Sequence, residues 1–277
     1  MRPSEVLRRG SDYLERHGVE SPRQTAEVLM SHILGTNRVG LYSRSRDLST
    51  GEARMFGRAI CQRSSGTPLQ HLTGEQRFRH LALEVRPGVF VPRPETEILV
   101  DVALRTLRTS EGPVVVDVGT GTGAIALSIK DERPDAKVYA TDLAPEAVEL
   151  ARANAARLGL DVRVEEGAFL EPVPSDLRGW VDLLISNPPY VTRAEYEDLP
   201  AEVRADPELS LIGGLEVHRR LSVDGSRWLR SGGVLAVEIG AAQGKEVSAA
   251  LENLLYVDVS VERDLAGRDR VVVGRRP

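Results

Sequence analysis

The chain has 277 residues, 41% of them hydrophobic and 28% charged, with a formal net charge of −5. That length leaves room for one or two domains with a sizeable core, and the acidic balance argues against a surface that coats nucleic acid. No apolar run reaches a membrane span, the N-terminal "MRPSEVLRRGSDYLERHG" is too charged for a signal-peptide core, and the single Cys61 excludes an internal disulfide and a cysteine zinc cage, so the expected setting is the cytoplasm.

Residues 1 to 70 carry a helical pattern. In "SPRQTAEVLMSHILG", Ser21 stands at an N-cap position, Pro22 at the first helical position and Gly35 at the end. Ala26, Leu29, Met30, Ile33 and Leu34 share one face. Further helices are expected over 4–17 and 50–64. The region shows no repeat and no chemistry of its own, so packing or contact with a partner is its expected role.

Residues 71 to 93 change to period two. Leu81, Leu83 and Val85 alternate with Ala82, Glu84 and Arg86, and "RPG" at 86–88 reads as a turn before "VFV". The expectation is a β-hairpin linking two domains.

From residue 94 onward strands and helices alternate. Strands are expected at 114–118, 137–142, 161–165, 181–186, 234–239, 256–261 and 270–274. Helices are expected at 95–108, 123–131, 145–158, 214–230 and 243–254. Such alternation implies a mostly parallel sheet covered on both faces. The last two strands are joined by "RDLAGRD", too short for a helical crossover, so they should form an antiparallel hairpin.

The first of these strands ends in Gly119-Thr120-Gly121-Thr122-Gly123-Ala124. Glycines let the backbone turn tightly beside a ligand, and the next helix offers free N–H groups. The pattern also satisfies G-x-G-x-x-A, so a dinucleotide site fits, as does a plain strand-to-helix turn. Asp142 ends the second strand, where a carboxylate can accept from both hydroxyls of an adenosine ribose. It also precedes Pro145 and Glu146, where an acid favours a helix start. Phe169 lies past the third strand and can stack on a purine or fill the core.

"VDLLI" at 181–185 is a buried-strand run stopped by Ser186-Asn187-Pro188-Pro189-Tyr190. Neither proline can donate to a neighbouring strand, and the Pro188 carbonyl stays free to accept. The Asn187 amide oxygen is a second acceptor. Two rigid acceptors side by side suit a planar –NH2, and the Tyr190 ring can pack on the flat group that bears it. Fixing both N–H bonds orients a poor nitrogen nucleophile toward an electrophile held at contact distance, such as the sulfonium methyl of S-adenosylmethionine. A proline-rich turn that merely ends a strand would look the same as a bare tetrapeptide.

Together, "DVGTGTGAIAL", "ISNPPYV" and "VPRPETEILV" resemble the HemK-type methyltransferases. These modify the side-chain nitrogen of the glutamine in the Gly-Gly-Gln loop of peptide-chain release factors. "TPLQHLTGEQRF", "GGVLAVEIGAAQG" and "GRDRVVV" extend the resemblance over nearly the whole chain. It implies a Rossmann-like S-adenosylmethionine-dependent methyltransferase domain over 94–277, preceded by a helical docking bundle (1–70) and the hairpin (71–93). Gly119, Thr120, Gly121, Thr122 and Gly123 would wrap the methionine part of the cofactor, Asp142 the ribose, and Phe169 the adenine. Asn187 would lie between cofactor and substrate, and Asn187, Pro188, Pro189 and Tyr190 would grip the glutamine amide, with Asn187, Pro188 and Tyr190 as the catalytic set. Arg93, just outside the helix start "PETE", is a candidate substrate contact. Ala168 departs from relatives that carry an acid there.

The resemblance implies S-adenosylmethionine as cofactor, no metal, a release factor as protein partner, a monomer, and neither membrane nor direct nucleic-acid contact. The N-P-P-Y loop is shared with adenine-N6 and guanine-N2 methyltransferases, so a DNA or RNA amino-methyltransferase is the alternative. That alternative needs a basic track for phosphates, and no lysine-rich, aromatic-interleaved segment supplies one.

Overall fold

A computed structural model describes residues 1–277 and divides into two compact units. One is Met1–Glu75 with Pro200–Ala205; the other is Gln76–Leu199 with Asp206–Pro277.

The first unit holds α1 (Pro3–Arg16), α2 (Pro22–Ile33), α3 (Arg38–Ser43), α4 (Thr50–Ser64) and α5 (Leu69–Thr73). Leu7 and Leu14 of α1, Ala26, Leu29 and Met30 of α2, and Phe56 and Ile60 of α4 form one apolar core. Ser21 occupies the N-cap position of α2 but sits at φ 48° and makes no capping hydrogen bond, so Pro22 and the packed face start this helix. The short α3 and α5 do not declare themselves in the sequence, because six and five residues hold too little of a 3.6 period. A capping box opens α4: Ser49 Oγ accepts from Glu52 N at 3.2 Å and the Glu52 carboxylate accepts from Ser49 N at 2.6 Å. The nearly buried Arg63 pairs with Glu202 at 2.6 Å, which ties Pro200–Ala205 to these helices.

The second unit begins with a hairpin of β1 (Glu75–Phe78) and β2 (Leu81–Glu84). Its turn lies at Arg79–His80 rather than at the expected "RPG", and no strand forms over 89–91. Arg79 takes φ 50°, unfavourable for a long side chain. The conformation is held by many bonds: Arg79 N donates to Glu97 Oε1 at 2.9 Å, and the guanidinium reaches Asp101 at 2.7 Å and Glu132 at 2.9 Å. Phe78, Leu81 and Leu83 are buried in the same cluster as the helices that follow, so the hairpin is part of this unit's core.

A 3-10 turn, Pro94–Thr96, then leads into α6 (Glu97–Thr106). After it come β3 (Val114–Val118), α7 (Ala124–Glu132), β4 (Lys137–Asp142), α8 (Pro145–Leu158), β5 (Val162–Glu166) and β6 (Val181–Ser186). The chain continues through α9 (Arg193–Glu197), α10 (Glu208–Leu211), α11 (Gly214–Trp228), β7 (Leu229–Glu238), α12 (Gly244–Asn253), β8 (Val257–Arg263) and β9 (Asp269–Arg275). The seven strands form one sheet in the order β5-β4-β3-β6-β7-β9-β8. Six share one direction, and β9 alone runs antiparallel, between β7 and β8, as the short final connection required.

Alternate residues of each central strand enter different cores. Val115, Leu183, Ile185 and Ala236 join α6, α7 and α8 on one face; Val116, Leu184, Leu235 and Val237 join α11 and α12 on the other. Burial on both faces explains why these strands read as continuous apolar runs. Asn154 of α8, fully buried, ties the hairpin to the sheet. Its amide donates to the carbonyls of Glu84 and Thr122, both at 3.0 Å, and its Oδ1 accepts from Glu84 N at 2.8 Å.

Candidate functional site

Parallel strands bring their C-terminal ends to one edge, where an open α/β sheet leaves its ligand crevice. β3 and β6 are neighbours there, and each ends in one of the two loops singled out by sequence. Ser186 Oγ donates to the Val118 carbonyl at 2.7 Å, so the last residue of β6 is clasped to the last residue of β3. The glycine loop and the Asn187–Tyr190 loop thus start from one fixed point.

The glycine loop is held against the end of β4. Gly119 N and Thr120 N both donate to the Thr141 carbonyl, at 2.8 and 3.0 Å. Asp142 Oδ2 accepts from Gly121 N at 2.8 Å, and its Oδ1 accepts from Ala144 N at 3.0 Å. Asp142 therefore shapes the loop from the C-terminal end of β4. Gly119 and Gly121 adopt φ 74° and 58°, and a Cβ at either would meet no atom within 4 Å. They line open space of the kind a bound molecule fills. Gly123 answers a different need, since a Cβ there would stand 2.8 Å from Leu127 Cδ1.

Beneath the loop lies Asp117, which the sequence reading left without a role. It is fully buried; its Oδ2 accepts from Thr120 Oγ1 at 2.7 Å and Ala126 N at 3.2 Å, while Oδ1 has no partner. Burial pushes its carboxyl up to about 7, with the nearby Asp142 adding to the rise. Burial also raises Asp142, against the pull of its backbone N–H partners. The signal for Asp117 was present as a lone acid inside "VVVDV".

Phe169 follows β5 at φ 50°, pinned by a bond from Thr141 Oγ1 to its carbonyl at 2.7 Å. Its half-buried ring packs against the core on the α11 side, and the Arg220 guanidinium lies 5.1 Å from its centroid. Ala168 beside it is also half-buried.

Asn187 donates from Nδ2 to Thr96 Oγ1 at 3.2 Å, while its Oδ1 has no partner in the chain and stays open to solvent. The Pro188 carbonyl likewise receives no hydrogen bond. Both acceptors anticipated from sequence are therefore uncommitted. Behind them Tyr190 is held by its carbonyl, which accepts from Gln243 Nε2 at 2.9 Å, and its hydroxyl lies 3.5 Å from Glu238 Oε1. Burial raises the Tyr190 phenol, with Glu238 adding to the rise. Glu238, at the end of β7, is only 3% exposed, and its Oε2 has no hydrogen-bond partner. Burial pushes it up to about 7, with Thr96 and then Arg270 working against the rise. Thr96 and Glu238 are further residues that sequence reasoning did not assign.

Arg93 pairs with the buried Asp206 through Nη2–Oδ2, and its guanidinium lies 5.2 Å from the Phe90 ring centroid. Asp206 also accepts from Val91 N at 3.2 Å. Any contact Arg93 makes with a substrate is made by a side chain already braced on Asp206.

The fold is shared with solved methyltransferases. The T. thermophilus 16S rRNA N2 guanine methyltransferase, in complex with AdoMet and guanosine, superposes with a TM-score of 0.56 at 18% identity, over 73% of this chain and 50% of that one. Two family models match: the PrmC N-terminal domain over residues 5–74 and the methyltransferase small domain over 81–202. The release factor glutamine methyltransferase of Moorella thermoacetica is 43% identical, covering 94% of this chain and 93% of that protein. The protein of the same name from Deinococcus radiodurans is 41% identical, covering 100% of this chain and 99% of that one. At this identity over nearly full length, the chain belongs to the release factor glutamine methyltransferase family.

Proposed function

We propose that the chain transfers a methyl group from S-adenosylmethionine to the side-chain amide nitrogen of the glutamine in the Gly-Gly-Gln loop of peptide-chain release factors. The observation that carries this reading is the pair of uncommitted acceptors, Asn187 Oδ1 and the Pro188 carbonyl, clasped through Ser186 beside the glycine loop. A primary amide has two N–H donors on one flat group, and these two oxygens meet that demand.

The residues present fit the cofactor. Gly119 and Gly121 border open space, Asp142 offers carboxylate lone pairs to ribose hydroxyls, and Phe169 offers a half-exposed ring to adenine. Burial raises both Asp117 and Asp142, and Asp142 adds to the rise at Asp117; a positive charge beside them is favoured, which suits a sulfonium ligand. Bound there, S-adenosylmethionine would supply the electrophilic methyl group. Asn187 and Pro188 hold the amide nitrogen by both hydrogens, the Tyr190 ring packs on the amide plane, and the nitrogen gives up one proton to water as its new bond to carbon forms. Pre-arrangement does most of the work, so no histidine base is required.

The first unit is read as the docking surface for the release factor, in line with the PrmC N-terminal domain match. The setting is read as cytoplasmic, with a monomeric enzyme that uses no metal and does not grip nucleic acid. No helix is long and apolar enough to cross a membrane.

The test is incubation of the purified protein with S-adenosylmethionine and a release factor, followed by peptide mass spectrometry. One added methyl on the Gly-Gly-Gln glutamine supports the reading. An unmodified glutamine, or methyl label appearing on nucleic acid instead, overturns it.

A further inference from the structure

The connection from β7 to α12, residues 239–243, runs beside the 187–190 loop, because β6 and β7 are parallel neighbours that pair up to Ser186 and Val237. Gln243 closes this connection at the N-cap position of α12. A polar side chain there ordinarily accepts from the first N–H groups of the helix. Gln243 makes no such bond. Its backbone alone serves the helix, with the carbonyl accepting from Glu246 N at 3.1 Å and Val247 N at 3.0 Å. The side-chain amide turns back, away from the helix it begins.

Two backbone groups receive that amide. Its Oε1 accepts from Gly240 N at 2.9 Å, and its Nε2 donates to the Tyr190 carbonyl at 2.9 Å. The orientation leaves no choice. A backbone N–H only donates and a backbone carbonyl only accepts, so a half-turn of the amide would set donor against donor and acceptor against acceptor. Gly240 supplies the rest of the fit. A Cβ on it would stand 3.2 Å from Gln243 Oε1 and 3.6 Å from Tyr190 Cδ2, so the bare backbone lets the amide and the phenol ring lie against the same residue. Ile239, just before it, donates its N–H to the Arg270 carbonyl at 2.8 Å and so fastens the connection to β9. Val191, just after Tyr190, is held by Leu211 and Gly213. Gln243 therefore links the rigid sheet to the Tyr190 backbone itself.

We propose that Gln243 is a positioning residue for methyl transfer, whose amide clamps the Tyr190 carbonyl to the end of β7 and so sets the Tyr190 ring and the Pro188 carbonyl against the substrate amide. The clamp reaches Pro188 because Pro189, between the two, has a fixed φ and little freedom to absorb a shift. What the ring packs on rests on the glutamine-methyltransferase reading; the clamp is a property of the chain alone. Gln243 touches none of the reacting atoms.

Gln243→Glu separates this role from a purely structural one by sign. The carboxylate keeps an acceptor for Gly240 N and puts an acid at the start of α12, where it favours the helix. It loses the donor and sets a second oxygen against the Tyr190 carbonyl. A residue that served only the helix and its connection would leave turnover and melting temperature at the parental level or above. A positioning residue should keep the melting temperature while kcat on a release factor falls roughly 10-fold, the worth of one hydrogen bond. Gln243→Met, unbranched and without donor or acceptor, should show a similar fall. S-adenosylmethionine affinity, measured by calorimetry, should be unchanged in both, because the glycine loop is untouched. In parallel, NMR of the protein without substrate should show the Tyr190 carbonyl carbon moving upfield in both variants, as a carbonyl that loses a hydrogen bond does. The Gly240 amide proton should stay in place in Gln243→Glu and shift in Gln243→Met. Parental kcat in Gln243→Glu overturns the proposal, as does a Tyr190 carbonyl resonance that does not move. A fall in kcat matched by a fall in cofactor affinity or in melting temperature overturns it too. If the parent methylates no release factor, the substrate reading falls, and the NMR comparison still decides the clamp.

Discussion

Gly213 lies against the Pro189 carbonyl so closely that a Cβ on it would stand 2.3 Å from that oxygen and 2.9 Å from Val217 Cγ2. The approach is backbone on backbone, and it is locked: Val191 N donates to the Leu211 carbonyl at 2.9 Å and Gly213 N to the Val191 carbonyl at 3.1 Å. Gly213→Ala must therefore displace the Pro188–Tyr190 segment. Turnover should fall about 100-fold, the scale of a misplacement near 1 Å. Thermal melting should show a stability loss of about 1–3 kcal/mol. A variant with parental kcat would mean the loop moves without consequence.

Asn187→Ala removes one of the two acceptors and leaves the glycine loop intact. Turnover should fall about 100-fold or more. S-adenosylmethionine affinity, measured by calorimetry, should stay within a few-fold of the parent. Equal losses in turnover and in cofactor affinity would assign Asn187 to the cofactor instead of the amide.

Asp142→Ala acts on the other half of the site. It deletes the proposed ribose acceptor and the bond to Gly121 N together. Hydrogen bonds to a charged group are worth about 1.5–3 kcal/mol, so the cofactor Kd should rise about 10–100-fold. Saturating cofactor should recover much of kcat. Unchanged affinity would remove Asp142 from the binding site.

Stability without ligand should depend on pH in an unusual direction. Burial holds both Asp117 and Glu238 at about 7, above the ordinary 3.8 and 4.5. A carboxyl that binds its proton more tightly when folded contributes stability below its unfolded pKa and loses that contribution as pH rises through the folded value. The urea midpoint should therefore drop between about pH 5 and pH 8. Glu238→Gln, which cannot titrate, should flatten that slope. A midpoint that rises over this interval would contradict the burial argument.

What the sequence revealed follows from range. The glycine loop, Asp142 and Asn187–Tyr190 are each read from a strand and the few residues after it, and strand ends meet by topology alone. Thr96 and Glu238 meet Asn187 and Tyr190 only across 91 and 48 positions of chain. In its own segment Thr96 is one residue of a helix start, and Glu238 is an acid at the end of an apolar strand. The hairpin turn was misplaced for the same reason. "RPG" is a strong local turn signal, but Arg79 is drawn into its own turn by Glu97, Asp101 and Glu132 from two later helices. Long-range ion pairs of this kind leave no periodicity to read.

Asn154 spends its whole bonding capacity on two distant segments, with Oδ1 also receiving Arg157 Nη2 at 3.2 Å. A local opening that frees the backbone at Glu84 must also release the Thr122 carbonyl, since one rotor serves both. The hairpin and the glycine loop should therefore fluctuate as a single cooperative element, with matching rates of amide deuterium uptake. A ligand that quietens the loop would slow exchange at Glu84 as well, making that hairpin N–H a remote reporter of occupancy.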